Sequence, residues 1–220
     1  MWLQDLATGL RKNVWTSRNW LLRLKLGLAF LTLLLFVLAS IFPRLPGDLA
    51  ILLWLQTPQS PWLTIAAVTV SHLADTPIAL SMMGVAVFLP LVRRRRDVAL
   101  MMLLSLVPIG AGNLLKLAVG RARPEYLLLD SAPTSLSFPS GHALFAAIFG
   151  GLLVWLAEES IQSPWIRRSV QVGLGLLVLA VGWSRVYLGL HWPDVFGSYM
   201  YGLVAVWLLT WLRSVLLYKI

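Results

Sequence analysis

Cysteine is absent from all 220 residues. Disulfides, thiolate metal sites and cysteine nucleophiles are thereby excluded, while the redox compartment stays open. Charge is also scarce: Asp, Glu, Lys and Arg make up 12% of the chain against 59% hydrophobic residues. Soluble globular domains carry about 25% charged residues, so the solvent expected here is a bilayer. Acids are the scarcer sign, 9 against 18 lysines and arginines. No internal repeat or low-complexity segment is present, and once the apolar runs are set aside nothing remains for a second domain. Residues 1–220 therefore read as one membrane domain, with a short cytoplasmic segment, 1–22, ahead of the first long apolar run.

A crossing helix needs about 20 mostly apolar residues. Six runs qualify, near 23–42, 77–92, 98–116, 142–157, 169–189 and 195–212, and the expected fold class is an all-α bundle of six transmembrane helices. The first run is long for a signal peptide and no A-x-A-like cleavage site follows it, so it reads as a retained anchor. The formal net charge of +9 would raise nucleic acid as a partner in a soluble protein. Position argues against that. Arg11, Lys12, Arg18, Arg23 and Lys25 precede the first run, Arg93 to Arg96 separate the second from the third, Arg167 and Arg168 fill another gap, and Arg213 and Lys219 close the chain. Those 13 of the 18 basic residues fall on one side of a six-span topology, the side the positive-inside rule makes cytoplasmic. Both termini then face the cytoplasm, in a bacterial inner membrane if the source is bacterial. The run Arg93 to Arg96 reads as a topology determinant that also attracts anionic headgroups. Residues 49–74, with Trp54 and Trp62, read as interfacial helix and turn on the outer side, and most of the 11 tryptophans as boundary residues.

The other five basic residues, Arg44, Lys116, Arg121, Arg123 and Arg185, lie on the outer side against the charge bias. An ionisable group at membrane depth either snorkels to the interface or is paired at a functional site. Snorkelling is the reading for Arg44 and Arg121. The other three keep different company. Three segments, KLAVGRARP (116–124), FPSGH (138–142) and SRVYLGLHWPD (184–194), bring cations, two histidines and an acid to one membrane level. Fixed cations and the free amides of a helix N-terminus suit a phosphate oxyanion, and Gly141 permits close backbone approach. Two histidines can divide phosphoryl transfer, one attacking phosphorus and one protonating the leaving oxygen. Asp194, three residues after His191, would share a helix face with it and could fix the attacking ring. The outer acids Asp48, Glu125, Asp130 and Asp194 are scattered and form no magnesium cluster; charge stabilisation is left to lysine and arginine.

At these residues the sequence resembles the type 2 phosphatidic acid phosphatase superfamily. The family's first motif, lysine, six residues and Arg-Pro, is matched by Lys116, Arg123 and Pro124. Its second, PSGH, is Pro139, Ser140, Gly141 and His142. Its third, Ser-Arg, five residues, histidine, three residues and aspartate, is matched by Ser184, Arg185 and His191, with Asp194 one residue early. The resemblance implies that Lys116, Arg123 and Arg185 bind phosphate with help from Ser140 and Gly141. It further implies that His191 becomes phosphohistidine, that His142 is the general acid, that Asp194 orients His191, and that no metal or cofactor takes part. The implied substrate is a membrane lipid phosphate or diphosphate of the phosphatidic acid, phosphatidylglycerol phosphate or undecaprenyl diphosphate class, met at the extracytoplasmic end of the bundle.

Three other readings use the same residues: phosphotransfer from one lipid to another, a transporter or channel whose buried cations hold an anion, and a non-catalytic lipid-binding relative. A transporter needs polar residues continuing through the inner half of the bundle, and the third to sixth runs are almost wholly apolar there. One further pair, His72 and Asp75 in SHLADTP, reads as structural: Asp75 caps the helix that Pro77 opens, and His72 is a structural or substrate-entrance residue.

Overall fold

Proline and glycine set where the helices begin and end. The structure, a computed structural model, describes residues 2–126, 128–130 and 134–217, with side chains from 20 to 216. The side chains of Arg11, Lys12 and Arg18, and Lys219 altogether, lie outside the described residues. The elements are α1 (Trp2–Ile41), α2 (Asp48–Gln56), α3 (Pro61–His72), α4 (Thr76–Val92), α5 (Arg96–Leu104), α6 (Leu106–Val119), α7 (Gly141–Ser160), α8 (Pro164–Tyr187) and α9 (Val195–Leu217). Pro61, Pro77 and Pro164 stand in the first turns of α3, α4 and α8, where a missing N–H costs no helical hydrogen bond. Inside a run the same chemistry breaks the helix. Pro108 has no N–H for the Leu104 carbonyl, and the third predicted span divides into α5 and α6 at Ser105.

The expected all-α membrane bundle is borne out. Among the described residues, five helical stretches are long and apolar enough to span a bilayer: Trp20–Ile41, Arg96–Val119, Gly141–Ser160, Pro164–Tyr187 and Val195–Leu216. A bent pair, Pro61–His72 with Thr76–Val92, whose halves meet at 51°, makes a sixth when its two halves are taken as one span. Within residues 49–74, read from the sequence as interfacial helix and turn, the structure forms α3 and most of α2, and a short break at residues 73–75 separates α3 from α4.

Helix α7 lies at the centre, packed on α6, α8 and α9, and Leu144, Ile148 and Leu152 along it are fully enclosed. Lipid tails are as apolar as leucine, so helices in a membrane associate through close packing of small residues. Gly202 of α9 meets α7 in this way, where an added Cβ would lie 2.5 Å from the Cβ of Ala147. Outward faces carry Phe30, Leu33, Leu176 and Leu208, all exposed, as lipid contact requires.

The ends of the bundle differ in chemistry. At one end Arg213 pairs with Asp97 and Glu159, Arg95 with Glu159, and Arg167 with Glu158, while Lys25 lies over the Trp207 ring. At the other end the C-termini of α6 and α8 meet the N-termini of α7 and α9.

Candidate active site

Two left-handed glycines fold the chain back over this second end. Gly120 (φ 67°) closes α6, its N–H donating to the Lys116 carbonyl at 3.1 Å, and directs residues 121–123 across the helix ends. Gly189 (φ 74°) follows α8 and lets the amides of Leu190 and His191 both donate to the Arg185 carbonyl, at 3.0 and 3.1 Å. Positive φ is nearly strain-free only for glycine. His191 is thereby set one tight turn above Arg185.

Lys116, Arg123, Arg185, Gly141, His142 and His191, drawn from the three predicted segments, line a single cavity of about 320 Å³. From Lys116 the cavity follows α6 past Asn113 and Ile109 to Leu106, faced across the gap by Leu80 and Met83 of α4. Ten residues of helix rise about 15 Å, so a cationic mouth continues as an apolar slot along the bundle. A larger cavity, about 540 Å³, lies between α4, α5 and α7 towards the opposite end, near Arg93 and Arg95; it holds none of these histidines.

Arg123 is fixed on every side. Its Nε donates to the Ser135 carbonyl at 2.6 Å, one terminal nitrogen to Ser135 Oγ at 3.0 Å, and the other to the Leu190 carbonyl and, at 3.1 Å, to His191 Nε2. Guanidinium only donates. His191 Nε2 is therefore an acceptor, its lone pair taken by the Arg123 N–H, and the ring proton sits on Nδ1. Burial pushes the His191 pKa well below the ordinary imidazole value, and the nearby charges of Arg123, Arg185 and Lys116 act in the same direction. Burial likewise lowers that of Arg123. Arg185 is 4% exposed and donates to Ser71 Oγ from α3, while its Nε has no hydrogen-bond partner among the described residues. A buried donor without a partner is costly, and an oxyanion in the cavity would satisfy it.

Two predicted site residues stand behind the cavity wall. Ser140 is buried and accepts from the Ala143 amide at 3.4 Å as the N-cap of α7, while its own amide donates to Ser198 Oγ at 2.8 Å. Asp194 is also buried, and one carboxylate oxygen accepts from Arg121. The other oxygen has no partner among the described residues, and neither has His191 Nδ1. These two are a complementary acceptor and donor, and no hydrogen bond joins them. Burial pushes the Asp194 carboxyl up to about 7, Arg121 opposing and Asp48 reinforcing the rise.

Arg121 corrects the snorkelling expectation. Its side chain is fully buried and its fork joins the carboxylates of Asp48 and Asp194 in one cluster, with Nε donating to the Pro43 carbonyl at 3.3 Å. Two acids from remote segments hold the charge that was expected to seek water. Arg44 does sit at the surface, over the rings of Tyr126 and Trp192 at 5.7 and 5.9 Å.

Asp75 is a second correction. It stands at the N-cap of α4, yet its side chain makes no cap hydrogen bond. Oδ1 instead lies 2.9 Å from His142 Nε2 and Oδ2 lies 2.6 Å from His72 Nδ1. The competing partners are imidazoles rather than helix amides, and His142 is 67 positions away, beyond any local pattern. The only signal in sequence was the i, i+3 spacing of His72 and Asp75. Among the described residues, no group of three or more His, Asp or Glu is placed to hold a metal ion.

A model of the PAP2 superfamily matches residues 94–217. The chain is 29% identical over 157 residues to a phosphatidylglycerophosphatase B of Bacillus subtilis (strain 168), covering 68% of this chain and 75% of that protein. An undecaprenyl-diphosphatase of Sulfolobus acidocaldarius is 32% identical over 125 residues, 54% of this chain and 56% of that protein, so the chain spans just over half of that relative. The crystal structure of a transmembrane PAP2-type phosphatidylglycerolphosphate phosphatase from Bacillus subtilis superposes with a TM-score of 0.75 at 25% identity, covering 86% of this chain and 96% of that one.

Proposed function

This chain belongs to the PAP2 superfamily of membrane lipid phosphatases, and on that premise we propose that it releases the terminal phosphate of a lipid phosphate or diphosphate through a phosphohistidine on His191. The observation that carries the reading is the cavity itself: three cations and two histidines at its mouth, and an apolar slot along α4 and α6 behind them. A phosphorylated headgroup fits the first part and its acyl or prenyl chain the second. Phosphatidic acid, phosphatidylglycerol phosphate and undecaprenyl diphosphate all meet that description, and the names of the relatives support the last two.

Lys116, Arg123 and Arg185 take the charge of the phosphoryl oxygens, with the amides at the α7 N-terminus. His191 Nε2 attacks phosphorus in line with the ester oxygen as the phosphoryl oxygens take over the Arg123 N–H that its lone pair accepts beforehand. The P–O bond breaks, the N–P bond forms, and His142 gives its proton to the leaving oxygen. Water then attacks phosphorus, losing a proton to His142 as the N–P bond breaks, and both rings return to their starting states. Asp194 takes the role of orienting His191 only once its free oxygen accepts Nδ1–H, a hydrogen bond that forms on the way to the phosphohistidine because the two groups are unjoined beforehand. Ser140 serves at one remove by holding the α7 N-terminus at the phosphate. Because lysine and arginine neutralise the charge, the reaction needs no metal.

The basic clusters at the far end face the cytoplasm by the positive-inside bias, with both termini; the site then opens on the extracytoplasmic leaflet, the periplasmic one in a bacterial inner membrane. The test is phosphate release by the purified protein in detergent from a panel of these lipids, with a chelator present. Wild type retains activity, His191→Ala loses it, and labelled phosphate is trapped on the wild-type histidine. Full activity in His191→Ala, or strict dependence on magnesium in wild type, rejects the mechanism.

A further inference from the structure

The carboxylate of Asp75 touches neither the phosphate cations nor the helix it precedes. It bridges two imidazoles, Oδ1 with His142 Nε2 at 2.9 Å and Oδ2 with His72 Nδ1 at 2.6 Å. His142 lines the cavity, whereas His72 is 53% exposed in its side chain and is the outer brace of the pair. The break between α3 and α4 supplies this brace, and from the same turn Ser71 holds Arg185. A proton donor among cations has a specific difficulty. Lys116 and Arg185 share the cavity with His142, and a ring that must carry a proton there needs an anion beside it. Asp75 is the carboxylate hydrogen-bonded to that ring.

We propose that Asp75 is the positioning residue of the proton donor: it fixes the His142 ring through Nε2–H and balances its charge, with His72 locking the second carboxylate oxygen. The assignment rests on the phosphatase reading above. Since Nε2–H is given to Asp75, the proton delivered to substrate leaves from Nδ1. In the first step the Nδ1–H bond breaks and the leaving oxygen gains that proton as it takes the electron pair of the P–O bond. The imidazole ends neutral, Nε2–H still on Asp75. In the second step attacking water gives a proton back to Nδ1, and the imidazolium beside Asp75 is restored. Asp75 itself neither gains nor loses a proton.

The experiment compares two leaving groups. The alkoxide of a lipid phosphate needs a proton to depart, whereas the nitrophenolate of p-nitrophenyl phosphate does not. Relative kcat/KM reports the steps up to phosphohistidine formation and is measured for wild type, Asp75→Asn, Asp75→Glu and His142→Ala on both substrates. Loss of the charge and ring alignment in Asp75→Asn is expected to lower kcat/KM on phosphatidic acid by about 100-fold, and on p-nitrophenyl phosphate by no more than about threefold. His142→Ala shows the same split, and Asp75→Glu recovers part of the loss on the lipid. An equal fall on both substrates, as a packing role would give, overturns the assignment; so does no fall on either. Should Asp75→Asn fail to accumulate, the same comparison on Asp75→Glu decides, since a misplaced carboxylate also penalises the lipid selectively. A wild type inactive on both substrates sinks the phosphatase reading instead, and the two failures are thereby told apart.

Discussion

Replacing Arg121 with alanine removes the one cation that lies between Asp48 and Asp194, both of which are buried. Breaking a buried ion pair by deleting one partner costs about 3–5 kcal/mol, because the remaining charge has no compensation. The chain avoids a bare anion by taking up a further proton on the carboxyl pair. For a carboxyl with an unfolded pKa of about 3.9, that uptake costs about 4 kcal/mol at pH 7 and about 1.5 kcal/mol at pH 5. The two estimates agree near neutrality, and the second adds a sign: the folded variant binds the extra proton, so its deficit shrinks as pH falls. Equilibrium unfolding in mixed micelles, followed by tryptophan fluorescence at several pH values, measures it. Arg121→Lys keeps the charge but cannot fork to two acids, and falls between alanine and wild type. If Arg121→Ala matches wild type at pH 7, the residue is a snorkelling surface cation after all. A deficit that is the same at pH 5 and pH 8 refutes the buried-carboxylate account.

The low-lying His191 pKa, set first by burial and then by Arg123, Arg185 and Lys116, keeps the attacking nitrogen unprotonated as pH falls. After correction for the substrate's own titration, the acid limb of kcat/KM is expected below pH 6.5, and a limb centred at or above that value contradicts it. Arg123→Lys loses the fork that spans Ser135, Leu190 and His191; kcat/KM should fall by about 100-fold while the unfolding transition moves little. Gly202→Ala drives a methyl to 2.5 Å from Ala147 on the central helix and is expected to cost about 1–3 kcal/mol. Gly175→Ala, where an added methyl meets nothing within 4 Å, is the matched control and should be close to neutral.

Hydropathy and residue identity by themselves determined a good deal. Apolar runs near the length of a bilayer define the crossings whatever their partners, since a backbone in lipid must satisfy its own hydrogen bonds as helix. Lys116, Arg123, His142, Arg185 and His191 were legible because each is an expensive residue at a span end, and because three short motifs recur in one order. All five line the one cavity. Span 3 was legible as a hydrophobic run but not as two helices, a division that turns on the single missing N–H of Pro108.

Only the tertiary structure decided the pairings. Arg121 and Asp194 are 73 positions apart, as are Arg121 and Asp48, and His142 and Asp75 are 67 apart. No local period reports such distances. The rotation of each helix about its axis and the turns at Gly120 and Gly189 choose which acid a cation meets. Asp75 and Ser140 make the point side by side. Both are N-cap residues of membrane helices, yet Ser140 caps and Asp75 does not, because His72 and His142 come within hydrogen-bonding reach of the carboxylate.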